Sequence, residues 1–128
     1  MAKPQSKTQK KIDNNIRLAL TSVCDQALKD VHGFKWLTHE VNYTNFPASL
    51  LITCVFDNEE NLKAAGESTT QCLRKRIQAS LLKVGVKFKA LKQQVCFDSE
   101  EACLLMHSGD WKARLASRKG QVVARNRP

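Results

Sequence analysis

The run SLLITCVF, residues 49–56, is almost unbroken in apolar, β-branched and aromatic side chains. A segment of that character fits a strand covered on both faces, at the centre of a sheet and not at its edge. The flanking segments must therefore pair with it or cover it. Before it, FKWLTHEVNY alternates Leu37, His39, Val41 and Tyr43 against Trp36, Thr38, Glu40 and Asn42. That period of two predicts a strand with one wet side. With the turn signal Asn45-Phe46-Pro47, residues 34–56 read as a hairpin. A third, short strand is predicted over Gln94 to Phe97, where Val95 and Phe97 point one way.

Helical periodicity supplies the cover. From about Thr8 to Val31, the residues Ile12, Ile16, Ala19, Leu20, Val23, Ala27 and Val31 form one apolar stripe, and Gly33 is placed to end that helix. Asp57 and Asn58 accept hydrogen bonds from free helix-start amides, and Glu59 and Glu60 complement the dipole of a short helix over roughly 59–65. Gly66 then kinks or breaks the chain before a long basic helix, with Ser68 or Thr69 available as its cap. Its stripe is Leu73, Ile77, Leu81 and Val84, and Gly85 occupies the position just past its end. Val86 and Phe88 next alternate with Lys87 and Lys89, an extended segment with one greasy and one charged side. Asp98 with Glu101 has the pattern of a capping box, and Ala102, Leu105 and Met106 are expected to form the inner face of the helix it starts. His107-Ser108-Gly109-Asp110 breaks that helix, and Trp111 and Leu115 mark a last short one. The order helix, strand, strand, kinked helix, strand, helix belongs to the α+β class.

The chain of 128 residues has room for one domain with an adequate core, predicted over 8–116 between a disordered basic arm at 1–7 and a flexible basic tail at 117–128. No run of about 18 apolar residues supports a membrane span, and the polar start MAKPQSKTQKK does not read as a secretory signal, which points to the cytoplasm. Cys24, Cys54, Cys72, Cys96 and Cys103 lie far apart and are odd in number, against a closed disulfide framework. They are expected to be reduced and mostly buried.

Charge is the main functional signal. Gln71 to Cys96 carries Arg74, Lys75, Arg76, Lys83, Lys87, Lys89 and Lys92 and no acidic residue, within a chain of net charge +9. Such a surface suits a polyanion, and these seven residues, with Arg118 and Lys119 of the tail, are the candidate phosphate contacts. Both termini can extend the contact. Arg76, four residues after Cys72, is also placed to lie partly against the core. Trp36, Tyr43 and Trp111 can stack a base where they are exposed.

Catalytic signals are thin. Cys103 and His107 stand at i and i+4, with Cys96 seven residues before Cys103, but no CxxC or HxxxH pair accompanies them, so no metal is assigned. Cys54 with His39 would need an exposed, electropositive thiol, whereas Cys54 sits inside the most apolar run of the chain. Neither a phosphate loop nor a nucleotide fingerprint is present, and the acidic pairs explain themselves as helix starts. A non-enzymatic protein without a cofactor is expected.

Two resemblances refine this reading. FPASLLITCVF before a kinked helix, and LRKRIQASL before KQQVCFDSEE, make residues 10–101 similar in pattern to ribosome-binding factor A, whose KH-like fold binds RNA on the small ribosomal subunit. In that family an interrupted helix replaces the usual KH hinge, and LKAAGESTT is the matching segment. A GxxG loop is missing, since Gly66 stands beside Glu67. FKWLTHEVNYTNFPASL, CVFD, QQVCFDSEEAC and HSGDWKARL also resemble small bacterial proteins often labelled Fis-type transcriptional regulators. That resemblance implies DNA binding through a helix-turn-helix, with LRKRIQASLLKVGV as the recognition-helix end. Nucleic acid is the expected partner, with structured RNA or the ribosome ahead of DNA, and no membrane. An adaptor whose basic face meets an acidic protein is the alternative. Oligomeric state is not legible.

Overall fold

The computed structural model describes residues 7–117. The chain runs through α1 (Lys7–Asp30), β1 (Phe34–Glu40), a 3-10 turn (Tyr43–Asn45), β2 (Leu51–Phe56), α2 (Glu59–Leu82), α3 (Leu91–Gln94), β3 (Val95–Ser99) and α4 (Glu100–His107), with a final helix α5 over 111–117. This is the expected α+β architecture. The expectations for residues 1–6 and 118–128 lie outside the described residues, while Lys7 already belongs to α1.

β2 is buried along its whole length and holds the centre of a three-stranded sheet of order β1-β2-β3. It pairs antiparallel with β1 and parallel with β3. Ile52, Cys54 and Phe56 face the core under α1 and α2, joined by Ile16, Leu20, Val23 and Ala27 from α1 and Leu73, Ile77 and Leu81 from α2. Burying side chains such as Ile52 and Phe56 stabilises the fold by about 1.5–3 kcal/mol each. The register is regular from Trp36 to Glu40, but all five residues are half-buried, so the expected wet side is partly covered, Trp36 by Trp111; a bulge between Phe34 and Trp36 lets Phe34 join the core as well, opposite Phe56. Thr53, Val55 and Asp98 are buried on the far face, where Trp36 meets Trp111 edge to face at 4.8 Å.

Helix ends follow their local chemistry with two corrections. Gly33 takes φ 83° after α1, and Gly85 takes φ 82° past α2, where the Val86 amide returns to Leu81 O at 2.9 Å. Asn58 caps α2 by accepting from the Asn61 amide at 2.7 Å. α2 runs on through Gly66, whose φ 72° and ψ 179° give the predicted kink, and past it Thr70 and Gln71 bond back to Glu67 in place of a cap by Ser68 or Thr69. The first correction concerns Asp98, which is not the cap of α4. The ladder with β2 persists to Phe56↔Ser99, so Asp98 stays in β3 and Ser99 caps, accepting from the Ala102 amide at 3.0 Å. Glu101 instead accepts from the Glu59 amide at 2.8 Å, joining the starts of α2 and α4.

The second correction is to the inner face of α4. Cys103 is buried there, whereas Leu104, Leu105 and Met106 are 65%, 77% and 72% exposed. Ala102, Leu105 and Met106 do share one helical face, but the Ser99 cap and the His107–Arg114 contact fix the short helix with Cys103 inward, which turns Leu105 and Met106 outward. Residues 86–89 keep the predicted alternation, Val86 buried and Lys87 and Lys89 exposed, but join no ladder of the sheet, and Val84, expected in the apolar stripe of α2, lies past the helix end and is exposed. Gln94 ends α3 and does not begin β3; its buried amide accepts from the Lys89 and Ala90 amides and donates to Pro47 O and Leu50 O, at 2.8–2.9 Å. No helix among the described residues is long and apolar enough to cross a membrane.

Candidate nucleic-acid interface

Seven basic residues between Gln71 and Cys96 divide into two groups in three dimensions. Arg74 is half-buried: its Nε donates to Val95 O at 3.2 Å, and its guanidinium lies 5.0 Å from the centre of the Phe97 ring. Arg76 makes a two-pronged pair with Asp30, at 3.1 and 2.9 Å, which ties α2 to the last turn of α1 and holds the Asp30 carboxyl below its usual range. These two arginines brace the fold. Lys75, Lys83, Lys87, Lys89 and Lys92 are exposed, and no ion pair among the described residues engages them. Arg118 and Lys119 lie outside the described residues.

Lys75 and Arg76 line a groove of about 540 Å³ along the outer face of α2, together with Ser68, Gln71, Cys72 and Ala79. Lys83 follows at the helix end, and Lys87, Lys89 and Lys92 continue through the segment leading to α3. That segment is held in shape by Gln94 and by Val86, Phe88 and Leu91 packing on the core. The lysines thus stand on a fixed backbone. A phosphate chain can be held there by point charges without base-edge readout.

Aromatic side chains contribute little open ring surface. Trp36 donates Nε1–H to Glu100 Oε2 at 3.2 Å and packs on Trp111; both are half-buried. Tyr43 donates to Asp13 Oδ1 at 3.0 Å and packs on Phe46. Burial, with that bond, raises the phenol pKa well above its ordinary value.

The thiol and imidazole groups have structural partners. Cys54 is fully buried and its thiol is pushed up to about 12 by burial. His39 points its Nε2–H at Asp13 at 3.0 Å. Cys24 lines the same cleft as His39 between α1 and β1, but it interacts with the backbone of Leu37, two residues away along the strand. Cys103 is buried, and His107 Nδ1 lies 3.2 Å from Arg114 Nη1. Arginine can only donate, so that nitrogen is the acceptor. Among the described residues no group of three or more His, Cys, Asp or Glu side chains could hold a metal ion.

Of the stretch LRKRIQASLLKVGV, residues 73–82 close α2 and Lys83 to Val86 lie past its end; the segment before it is the earlier part of the same helix, bent at Gly66. No protein-family model, curated protein or solved structure matches the chain.

In sequence the basic stretch forms one continuous surface. The signal that separates its two halves was present for Arg76, which is spaced to lie against the core, but the Asp30 partner lies 46 positions away. Nothing local marks Arg74 as a brace, because Val95 and Phe97 reach it only through the parallel β2–β3 pairing.

Proposed function

We propose that this chain is a non-enzymatic, cytoplasmic RNA-binding accessory protein that docks structured RNA or the ribosome electrostatically. The observation carrying the proposal is the row of exposed lysines, Lys75, Lys83, Lys87, Lys89 and Lys92, without ion-pair partners among the described residues. Their charges cost nothing to desolvate in the free protein and release counterions from a phosphate chain on contact. The element order with a helix interrupted at Gly66 supports the KH-like reading, and with it RNA over DNA. Fluorescence anisotropy of nuclease-treated protein against matched hairpin RNA, single-stranded DNA and duplex DNA over a salt series tests it. An RNA preference persisting at physiological salt is expected; a preference for duplex DNA would transfer the role to a DNA regulator, and no binding to any of the three would end the nucleic-acid reading.

A protein-interaction adaptor is the second reading, favoured by the exposed side chains of Leu104, Leu105 and Met106 on α4. A stoichiometric protein that copurifies after nuclease treatment and is lost on L105E would support it.

A further inference from the structure

Carboxylates gather at one end of the fold. β2 and β3 both run from the β1–β2 connection toward Asp57 and Ser99, and α2 returns between them in the opposite direction. At one end of the sheet the starts of α2 and α4 meet: the Glu101 amide donates to Asp57 O at 3.2 Å and the Glu59 amide to Glu101 Oε1. Asp57, Glu59, Glu60, Glu100 and Glu101 gather there, five of the twelve acidic residues of the chain.

At the other end lie the close of α2, the 83–92 segment, the β1–β2 connection and the first half of α1. Gln94 ties residues 89 and 90 to Pro47 and Leu50 of the connection. Asp13 of α1 accepts from His39 and Tyr43 at its other side. α1 begins six residues before Asp13, so its first turns extend roughly 9 Å past that anchor at 1.5 Å per residue. Lys7, Lys10 and Lys11 are exposed on this extension and have no ion pair among the described residues. They also stand at the positive end of the helix dipole, with no acidic side chain in the first turn to balance them.

We infer that the first turns of α1, through Lys7, Lys10 and Lys11, form with Lys83, Lys87, Lys89 and Lys92 one basic pole that grips the phosphate backbone of structured RNA end-on, the acidic pole facing away. This rests on the RNA-binding reading and adds to it an element 72 or more positions away in sequence from the lysines of the 83–92 segment. Two rows of lysines on separate supports suit the phosphates of a folded, double-helical RNA. The acidic end supplies the orientation, because a polyanion is attracted to one pole and repelled by the other.

The test compares two triple variants that lose the same net charge. K7Q/K10Q/K11Q changes the basic pole. K29Q/K35Q/K63Q removes exposed lysines at the last turn of α1, the start of β1 and the first half of α2, toward the acidic pole. With hairpin RNA, the basic-pole variant is expected to bind at least about tenfold more weakly, with a salt slope lower by about 2–3. The control is expected to stay within about twofold of wild type. Removing lysines from the positive end of a helix dipole favours the helix, so helical circular dichroism should hold and unfolding cannot explain the loss. Equal weakening of both variants would reduce the effect to net charge and overturn the inference, as would wild-type binding by K7Q/K10Q/K11Q. Tighter binding of duplex DNA with the same pole dependence would overturn RNA as the partner. Failure of the wild-type protein to bind nucleic acid would remove the underlying reading itself, an outcome distinct from intact binding by the variant.

Discussion

Arg114 closes on Asp98 across the far face of the sheet, Nε 2.6 Å from Oδ2 and Nη2 2.8 Å from Oδ1, with the two side chains only 11% and 3% exposed. This pair docks α5 on β3, and the Asp98 hydrogen bonds raise the Arg114 pKa further. Removing one member of a buried pair strands the other charge. R114M should therefore destabilise the protein by about 3–5 kcal/mol in urea unfolding followed by tryptophan fluorescence. D98N/R114M should recover most of that loss, and strictly additive effects would show that the pair is not coupled.

The arginines and lysines of the basic stretch should separate in experiment. R74M removes the bond to Val95 O and the contact with Phe97, costing about 1–3 kcal/mol of stability, and should shift the RNA salt slope by less than one. K83Q/K87Q/K89Q should leave stability within about 0.5 kcal/mol while lowering the slope by about 2–3. Denaturation and anisotropy on the same preparations distinguish the two patterns.

Two glycines should resist substitution for different reasons. At Gly66 there is open space, but φ 72° and ψ 179° form a region that side chains avoid, so G66A should cost about 1–3 kcal/mol. At Gly33 a Cβ would meet Asn61 Cβ at 2.7 Å and Asp57 Oδ1 at 3.0 Å in addition to φ 83°. G33A should therefore cost more, about 2–5 kcal/mol, in thermal or chemical unfolding.

Burial pulls the Asp13 pKa upward, but hydrogen bonds from His39 and Tyr43 outweigh it and leave the carboxyl below its ordinary value of 3.8. A lowered folded-state pKa stabilises the protein above the unfolded value and loses that contribution as pH falls through the folded one. D13N should destabilise by about 1–2 kcal/mol at pH 7, with the difference from wild type shrinking below about pH 4. A constant difference across an acid titration of the melting temperature would show that Asp13 acts through shape alone.

The sequence by itself determined the elements and their apolar faces: the buried β2, the α1 stripe, the Gly66 kink and the glycine-ended helices are local periodicity and local backbone chemistry. It also made the basic stretch visible as a candidate interface. It did not show that Arg74 and Arg76 brace the fold, because their partners at Val95, Phe97 and Asp30 are brought to them only by sheet pairing and helix packing. The same limit hid the bulge that turns Phe34 into the core, the Gln94 hub and the Asp98–Arg114 pair. Which cations remain free, and which end of the molecule they share, was decided by tertiary structure, since a charge is neutralised by neighbours in space and hydrophobic periodicity records only which side of an element is buried.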